Sequence, residues 1–149
     1  MIRPATRDEA AVLTEIALQA KRHWGYPEHW IKHWEADLTV TPDFISDNLV
    51  FVAEEDGEPR GFYALCSNDG KVELEHMWVK PEYIGIGVGK DLFLHAMDQA
   101  TALNIGEVNI IADPNAASFY EHMGAERVGE VDASIDGETR KLPRLKIRP

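Results

Sequence analysis

Apolar and polar positions follow two different rhythms along this chain. In the first third, Ala10, Leu13, Ile16, Ala17 and Ala20 recur at helical spacing, which predicts a helix with one buried stripe. Thr6-Arg7-Asp8-Glu9 has the form of a capping box opening that helix, which should end near His23 with Gly25 as its stop signal. Met1 to Pro4 reads as a short strand before it. Pro27 suits the first turn of a second helix running to about Leu38, and Thr41-Pro42 suits the start of a short third one.

The rhythm then changes. Val50 to Glu54, Arg60 to Ser67 and Lys71 to Val79 are strand-like runs, separated by Glu55-Asp56-Gly57-Glu58-Pro59 and Asn68-Asp69-Gly70, both of them hairpin turn chemistry. After a glycine-rich stretch, Val88 to Leu103 reads as a long amphipathic helix with Val88, Leu92, Phe93, Ala96, Met97 and Ala100 on one face. Glu107 to Ala112 is a mostly apolar strand, expected to be buried on both faces. Asn115 to Met123 predicts a short helix closed by Gly124. Strands of about Ala125 to Ala133 and Arg140 to Ile147 flank a turn at Asp136-Gly137. The order β-α-α-β-β-β-α-β-α-β-β predicts a mixed sheet with helices against it.

Composition narrows the class. With 149 residues and no repeat or linker, residues 1–149 read as a single domain. A net charge of −11 argues against nucleic acid as a partner. No apolar run approaches the roughly 20 residues needed to span a bilayer, so no membrane partner is expected. Cys66 is the lone cysteine, and Met1 to Thr6 lacks a signal-peptide pattern, which together favour a cytoplasmic setting. In so acidic a chain, an anionic ligand has to be held locally by oriented backbone amides.

Ile84-Gly85-Ile86-Gly87-Val88-Gly89 provides for that. A strand runs into alternating glycines and a helix starts at once, so several amides converge where the helix dipole also favours an anion. Taken alone, three glycines also fit a tight turn that binds nothing. A dinucleotide fingerprint needs Gly-x-Gly-x-x-Gly after an early strand, and this spacing is different.

Val79-x-Pro81-Glu82-Tyr83 followed by Gly85-x-Gly87-Val88-Gly89 resembles the acetyl-CoA loop of the GNAT acetyltransferase superfamily, and the element order resembles that fold over essentially the whole chain. Gly87 and Gly89 match the family loop, whereas Ile84 stands where Gln or Arg is usual. The resemblance implies an α/β (α+β) fold, a mixed, mostly antiparallel sheet of six to seven strands with about four helices. It implies acetyl-CoA as cosubstrate, no metal, and an amine acceptor, either a small molecule or a protein amino group. It implies cofactor binding by Ile84, Gly85, Ile86, Gly87, Val88, Gly89 and the adjoining Lys90. Met77, Trp78 and Val79 would pair with the pantetheine arm like an added strand. A homodimer through the carboxy-terminal strands is compatible with the same resemblance.

Glu73 and Glu75 are two positions apart and are expected on one strand face, with Val72, Leu74, His76 and Trp78 on the other. An ammonium with a reference pKa near about 10.4 must lose a proton before attacking a thioester, which suits a carboxylate general base. By resemblance either register is used in the family, and Glu75 is favoured over Glu73. Solvated glutamates on an open sheet face are the plain alternative.

Asp113 to Ala125 resembles the family's second motif, Asn-x-x-Ala-x-x-Phe-Tyr-x-x-x-Gly-Phe, with Ala116, Phe119, Tyr120 and Gly124 matching and Asp113 and Ala125 departing. Tyr120 is thereby the candidate general acid for the departing thiolate. Asn115 is expected either to hydrogen-bond the cofactor or to cap the short helix. By the same resemblance Trp24, Tyr26 and Trp30 wall the acceptor pocket, unless they simply pack between the first two helices. His29 and His33 have metal-ligand spacing but no third ligand. A non-catalytic acyl-CoA-binding module of the same fold is the alternative to an enzyme.

Overall fold

The computed structural model describes all residues, Met1–Pro149. Strand β1 (Ile2–Pro4) is followed by helices α1 (Ala10–His23), α2 (Glu28–Leu38) and α3 (Pro42–Asp47). Strands β2 (Leu49–Glu55), β3 (Glu58–Asn68) and β4 (Lys71–Val79) form a meander. Helix α4 (Val88–Ala102), strand β5 (Val108–Ile111), helix α5 (Ala117–His122), and strands β6 (Glu126–Ile135) and β7 (Glu138–Ile147) complete the chain. The expected sheet is present with seven strands, and the helices number five because α3 and α5 are each a short separate element. No helix is long and apolar enough to cross a membrane.

Local sequence explains most of these boundaries. Each hairpin of the meander and the last one turns on Asp-Gly, with both residues at positive φ: 52° and 77° at Asp56-Gly57, 50° and 78° at Asp69-Gly70, 51° and 75° at Asp136-Gly137. Two consecutive left-handed residues match the twist of the flanking strands, which is why this dipeptide fixes hairpin register. At the first helix, Thr6 N donates to Glu9 Oε1 at 2.9 Å. The box closes a single 3-10 turn, Arg7–Glu9, and α1 starts only after it.

The sheet order is β1-β2-β3-β4-β5-β7-β6. One face packs Tyr63, Leu65 and Leu74 against Leu92, Phe93 and Ala96 of α4. The other packs Val52, Phe62 and Ala64 against Leu13 and Ile16 of α1. Every neighbouring pair is antiparallel except β4 and β5, which run parallel and pair only at Val72↔Val108 and Glu73↔Asn109. Beyond Glu73 the two strands separate, leaving one edge of β4 without a strand partner.

β4 departs from simple alternation. Ala64 pairs with His76, but the next residue, Leu65, pairs with Leu74, so Glu75 is one extra residue in the ladder. Such a bulge reverses side-chain parity along the strand. Leu74 therefore packs with the α4 layer, whereas His76 packs against Phe44 and Phe62 on the opposite face. The expectation that Val72, Leu74, His76 and Trp78 share a face is corrected by this bulge. The expectation for Glu107 to Ala112 is corrected too, because Val108 and Ile110 are buried while Ile111 is 51% exposed.

Candidate active site

The gap between β4 and β5 is a cleft of about 520 Å³. Its floor comes from β4 and its far wall from Ile111 and Ala112. One end is formed by the start of α4, and its lid by Ala116, Phe119 and Tyr120 around α5. Ile111 is exposed because it faces this space.

The glycine loop supplies the polar end. Gly85 and Gly87 have φ of +86° and +95°, and Gly87 is the residue that caps α4. A Cβ on either would enter empty space. These glycines are thus required by backbone conformation, and the vacant volume beside them is where a ligand can approach the chain. The first helical hydrogen bond runs from Asp91 N to Gly87 O, 3.0 Å. The amides of Val88, Gly89 and Lys90 precede it and remain free at the positive end of the dipole. Gly89 differs from its neighbours. Its φ is ordinary, and a Cβ there would meet Phe119 and Val79 no closer than 3.7 Å. Ile84 lines the cleft with an apolar side chain, and Lys90 brings a cation to the same end.

Along the floor, Met77, Trp78 and Val79 pair with Tyr63, Phe62 and Gly61 on one side. Their other edge opens into the cleft. Gly61 permits this packing, since a Cβ there would lie 2.7 Å from Trp78 O. Trp78 Nε1 donates to Nδ1 of His76 at 3.0 Å, which orients the indole from below. Burial lowers the His76 pKa, keeping that imidazole neutral and able to accept.

The two glutamates part company at the bulge. Glu75 is exposed and lines the cleft. Glu73 sits lower, paired with Cys66 and with Asn109 where the strands still touch, and is not part of the cleft lining. Burial, then the Glu75 carboxylate, then that of Glu73, push the Cys66 thiol up. Cys66 is therefore an unreactive core thiol.

Tyr120 faces Glu75's cleft from α5, clamped between Phe93 (5.9 Å between ring centroids) and Phe119 (5.4 Å). Burial first, and the charge of Asp113 second, raise its pKa. The phenol is fully protonated throughout the neutral range.

The cleft's other end is a polar array that the sequence motifs do not display. Asp113 accepts from Lys21 Nζ at 2.7 Å, from the Tyr26 hydroxyl at 3.0 Å, and from the Asn115 amide at 2.9 Å. Burial would raise the Asp113 pKa, but the Lys21 ammonium and these hydrogen bonds reverse the sign and hold it low. Burial lowers Lys21, opposed by Asp113. Tyr26 accepts in turn from Arg140 at 2.8 Å and from Asn115 Nδ2 at 3.1 Å, and burial with the nearby Asp113 pushes its hydroxyl up to about 12.

Asn115 lines the cleft but does not cap the short helix. The residue capping α5 is Ala116, and both Nδ2 hydrogens of Asn115 are committed to Tyr26 and Asp113. Trp24 lines the cleft, but Tyr26 and Trp30 are set back from its lining. They form an aromatic box with Trp34, with ring centroids 5.0 to 5.9 Å apart. Lys21 Nζ lies 4.2 Å from the Trp34 ring. No sequence motif marks Lys21 or Arg140 as part of this array. The one available signal was Asp113 standing where the resembling motif has Asn.

The glycine loop at the start of α4, the open edge of β4, Glu75 and Tyr120 all border one cleft. Residues 46–124 match the family model described as Acetyltransferase (GNAT) domain. This chain belongs to the GNAT family, and it is an N-acetyltransferase. It is 28% identical over 144 residues to the 5-NmdU N-acetyltransferase of Pseudomonas phage PaMx11, covering 93% of each chain. Its fold is similar to a GCN5-related N-acetyltransferase structure from Rhodopseudomonas palustris, with a TM-score of 0.83 and 25% identity over 100% of this chain and 95% of that one. It is similar also to the Thermoplasma acidophilum PaiA N-acetyltransferase in complex with coenzyme A. There the TM-score is 0.77 with 23% identity, over 100% of this chain and 98% of that one.

Proposed function

We propose that this chain, as one domain over residues 1–149, moves an acetyl group from acetyl-CoA to a primary amine by direct attack. Acetyl-CoA supplies an activated acyl group on a thioester. The amides of Gly85 to Lys90 hold its diphosphate, and the open edge of Met77 to Val79 holds its pantetheine arm. Glu75 takes the proton that the ammonium must lose, directly or through water. Tyr120 gives its proton to the sulfur as the C–S bond breaks. The amine nitrogen bonds the acetyl carbonyl carbon as the C–S bond breaks, and nitrogen loses two protons in all. The first goes to Glu75, and the second, lost after attack, returns through water to the Tyr120 oxygen that protonated the sulfur.

The observation that carries this reading is that Glu75 and Tyr120 line the same cleft as the glycine loop. Glu75 gets there through the bulge, and Glu73 does not. The acceptor is a small molecule or a protein amino group. Acetyl-CoA-dependent thiol release across a panel of amines tests the proposal. Release that requires both acetyl-CoA and an amine is expected, and its absence with every amine would overturn it.

A further inference from the structure

The acceptor end of the cleft has a charge pattern of its own. Among 26 acidic and 15 basic residues, a cation held in place without a carboxylate is conspicuous. Arg140, on β7, forms no ion pair. Its guanidinium carbon lies 5.0 Å from the Tyr26 ring, 5.8 Å from Trp30 and 5.1 Å from Trp34. Three rings around a planar cation fix its position and offset part of its dehydration.

Its single hydrogen-bond partner is the Tyr26 hydroxyl at 2.8 Å. A guanidinium has five N–H donors. The only buried polar side-chain atom in the chain without a partner is Arg60 Nε, so the remaining Arg140 donors are open to solvent. Tyr26 joins Arg140 to Asp113 and Asn115, and both of those line the cleft. Arg140 is therefore two hydrogen bonds from the cleft wall, through the Tyr26 hydroxyl.

Local charge agrees. Lys21 and Asp113 neutralise each other at 2.7 Å, and Asp136 is engaged by His29 at 2.7 Å and by Trp30 at 2.6 Å. Arg140 is left as a cation without a carboxylate partner at this end, while Glu75 places a carboxylate in the cleft. A site with those two poles complements a molecule carrying an ammonium and, apart from it, an oxyanion.

We propose that the acceptor bears an anionic group, a carboxylate or a phosphate, in addition to its reacting amine, and that Arg140 binds that group. The proposal rests on acetyl transfer at this cleft. The planar fork pairs with either oxyanion through two parallel hydrogen bonds. Tyr26, Trp30 and Trp34 are positioning residues for the fork.

The test compares matched acceptors in the thiol-release assay: amino acids against their primary amides, and phosphoethanolamine against ethanolamine. Wild type should favour the anionic member of at least one pair by roughly tenfold or more in kcat/KM, the scale of a charged hydrogen bond. The pair that discriminates identifies carboxylate or phosphate. Arg140→Gln should lose the preference through KM while keeping the neutral amine's rate, and Arg140→Lys should retain part of it. Unchanged acetyl-CoA stabilisation of Arg140→Gln in thermal unfolding shows that the variant is folded. Equal use of both members by wild type, or a preference that survives in folded Arg140→Gln, overturns the proposal. Turnover of neutral amines in those cases would leave acetyl transfer standing. No turnover with any amine would remove both readings.

Discussion

Lys21 and Asp113 stand 92 positions apart in the chain, yet their charged groups meet at 2.7 Å with only 12% and 6% of the side chains exposed. The pair ties α1 to the loop after β5, and so fixes one end of the cleft. It also accounts for the aspartate where the family motif has asparagine. An amide there could not neutralise the buried ammonium.

Asp113→Asn should therefore be costly, although it restores the usual residue. Removing one partner of a buried pair costs about 3–5 kcal/mol, which lowers Tm by on the order of 10 °C for a domain of this size. Lys21→Met combined with Asp113→Asn should recover more than half of the loss, since no charge is then left unpaired. Thermal unfolding of the three variants checks this. A wild-type midpoint for Asp113→Asn would contradict the pair.

Tyr120→Phe and Glu75→Gln should each lower kcat by about 10²–10⁴-fold, the range of general acid–base contributions. Glu73→Gln should leave kcat within a few-fold of wild type, because Glu73 lies below the point where the strands separate. All three should still be stabilised by acetyl-CoA. Steady-state kinetics on one acceptor decides, and a Glu73 effect larger than that of Glu75 would reverse the assignment.

The glycines of the loop should respond differently to the same change. Gly87→Ala places a Cβ on a residue at φ +95°. It should cost about 1–2 kcal/mol for the left-handed conformation and weaken acetyl-CoA binding by filling the cradle. Gly89→Ala, with ordinary φ and nothing closer than 3.7 Å, should be close to neutral in stability. Unfolding midpoints and calorimetric titration of both variants test the contrast.

Glu9 makes an acid-sensitive contact away from the cleft. Hydrogen bonds from Arg3 chiefly, with the Thr6 amide helping and burial opposing, lower its pKa from 4.5 to about 2. A carboxylate depressed in the folded state stabilises above its unfolded pKa, and the contribution is lost as pH falls through the folded one. The Tm difference between wild type and Glu9→Gln should hold steady above about pH 5 and close as pH approaches about 2. A difference unchanged across that range would rule out the Arg3–Glu9 contribution.

Much of the fold was legible because its signals are local. Asp-Gly turns, the Thr6–Glu9 box, Gly25 and the spacing of Leu92, Phe93 and Ala96 each act within a few residues. The glycine loop was legible for the same reason. The bulge was not, because Lys71 to Val79 alternates plausibly by itself and only the partner register, Ala64 to His76 but Leu65 to Leu74, reveals the extra residue. The exposed Ile111 follows from the parting of β4 and β5, a tertiary event. The array around Tyr26 was hidden further still. Its hydrogen bonds join residues 87, 89 and 114 positions apart, and no periodicity encodes them.

The central claim is that this cleft holds acetyl-CoA, and thermal unfolding with and without that compound, with NAD as control, tests it most directly. Ligand at about 100 times its dissociation constant adds roughly 2.7 kcal/mol, equivalent to a rise of several degrees in Tm. A rise with acetyl-CoA and none with NAD is the predicted result. No rise at millimolar acetyl-CoA would contradict the account, and would mean that the amides from Gly85 to Lys90, with Ile84 beside them, do not form a working diphosphate site.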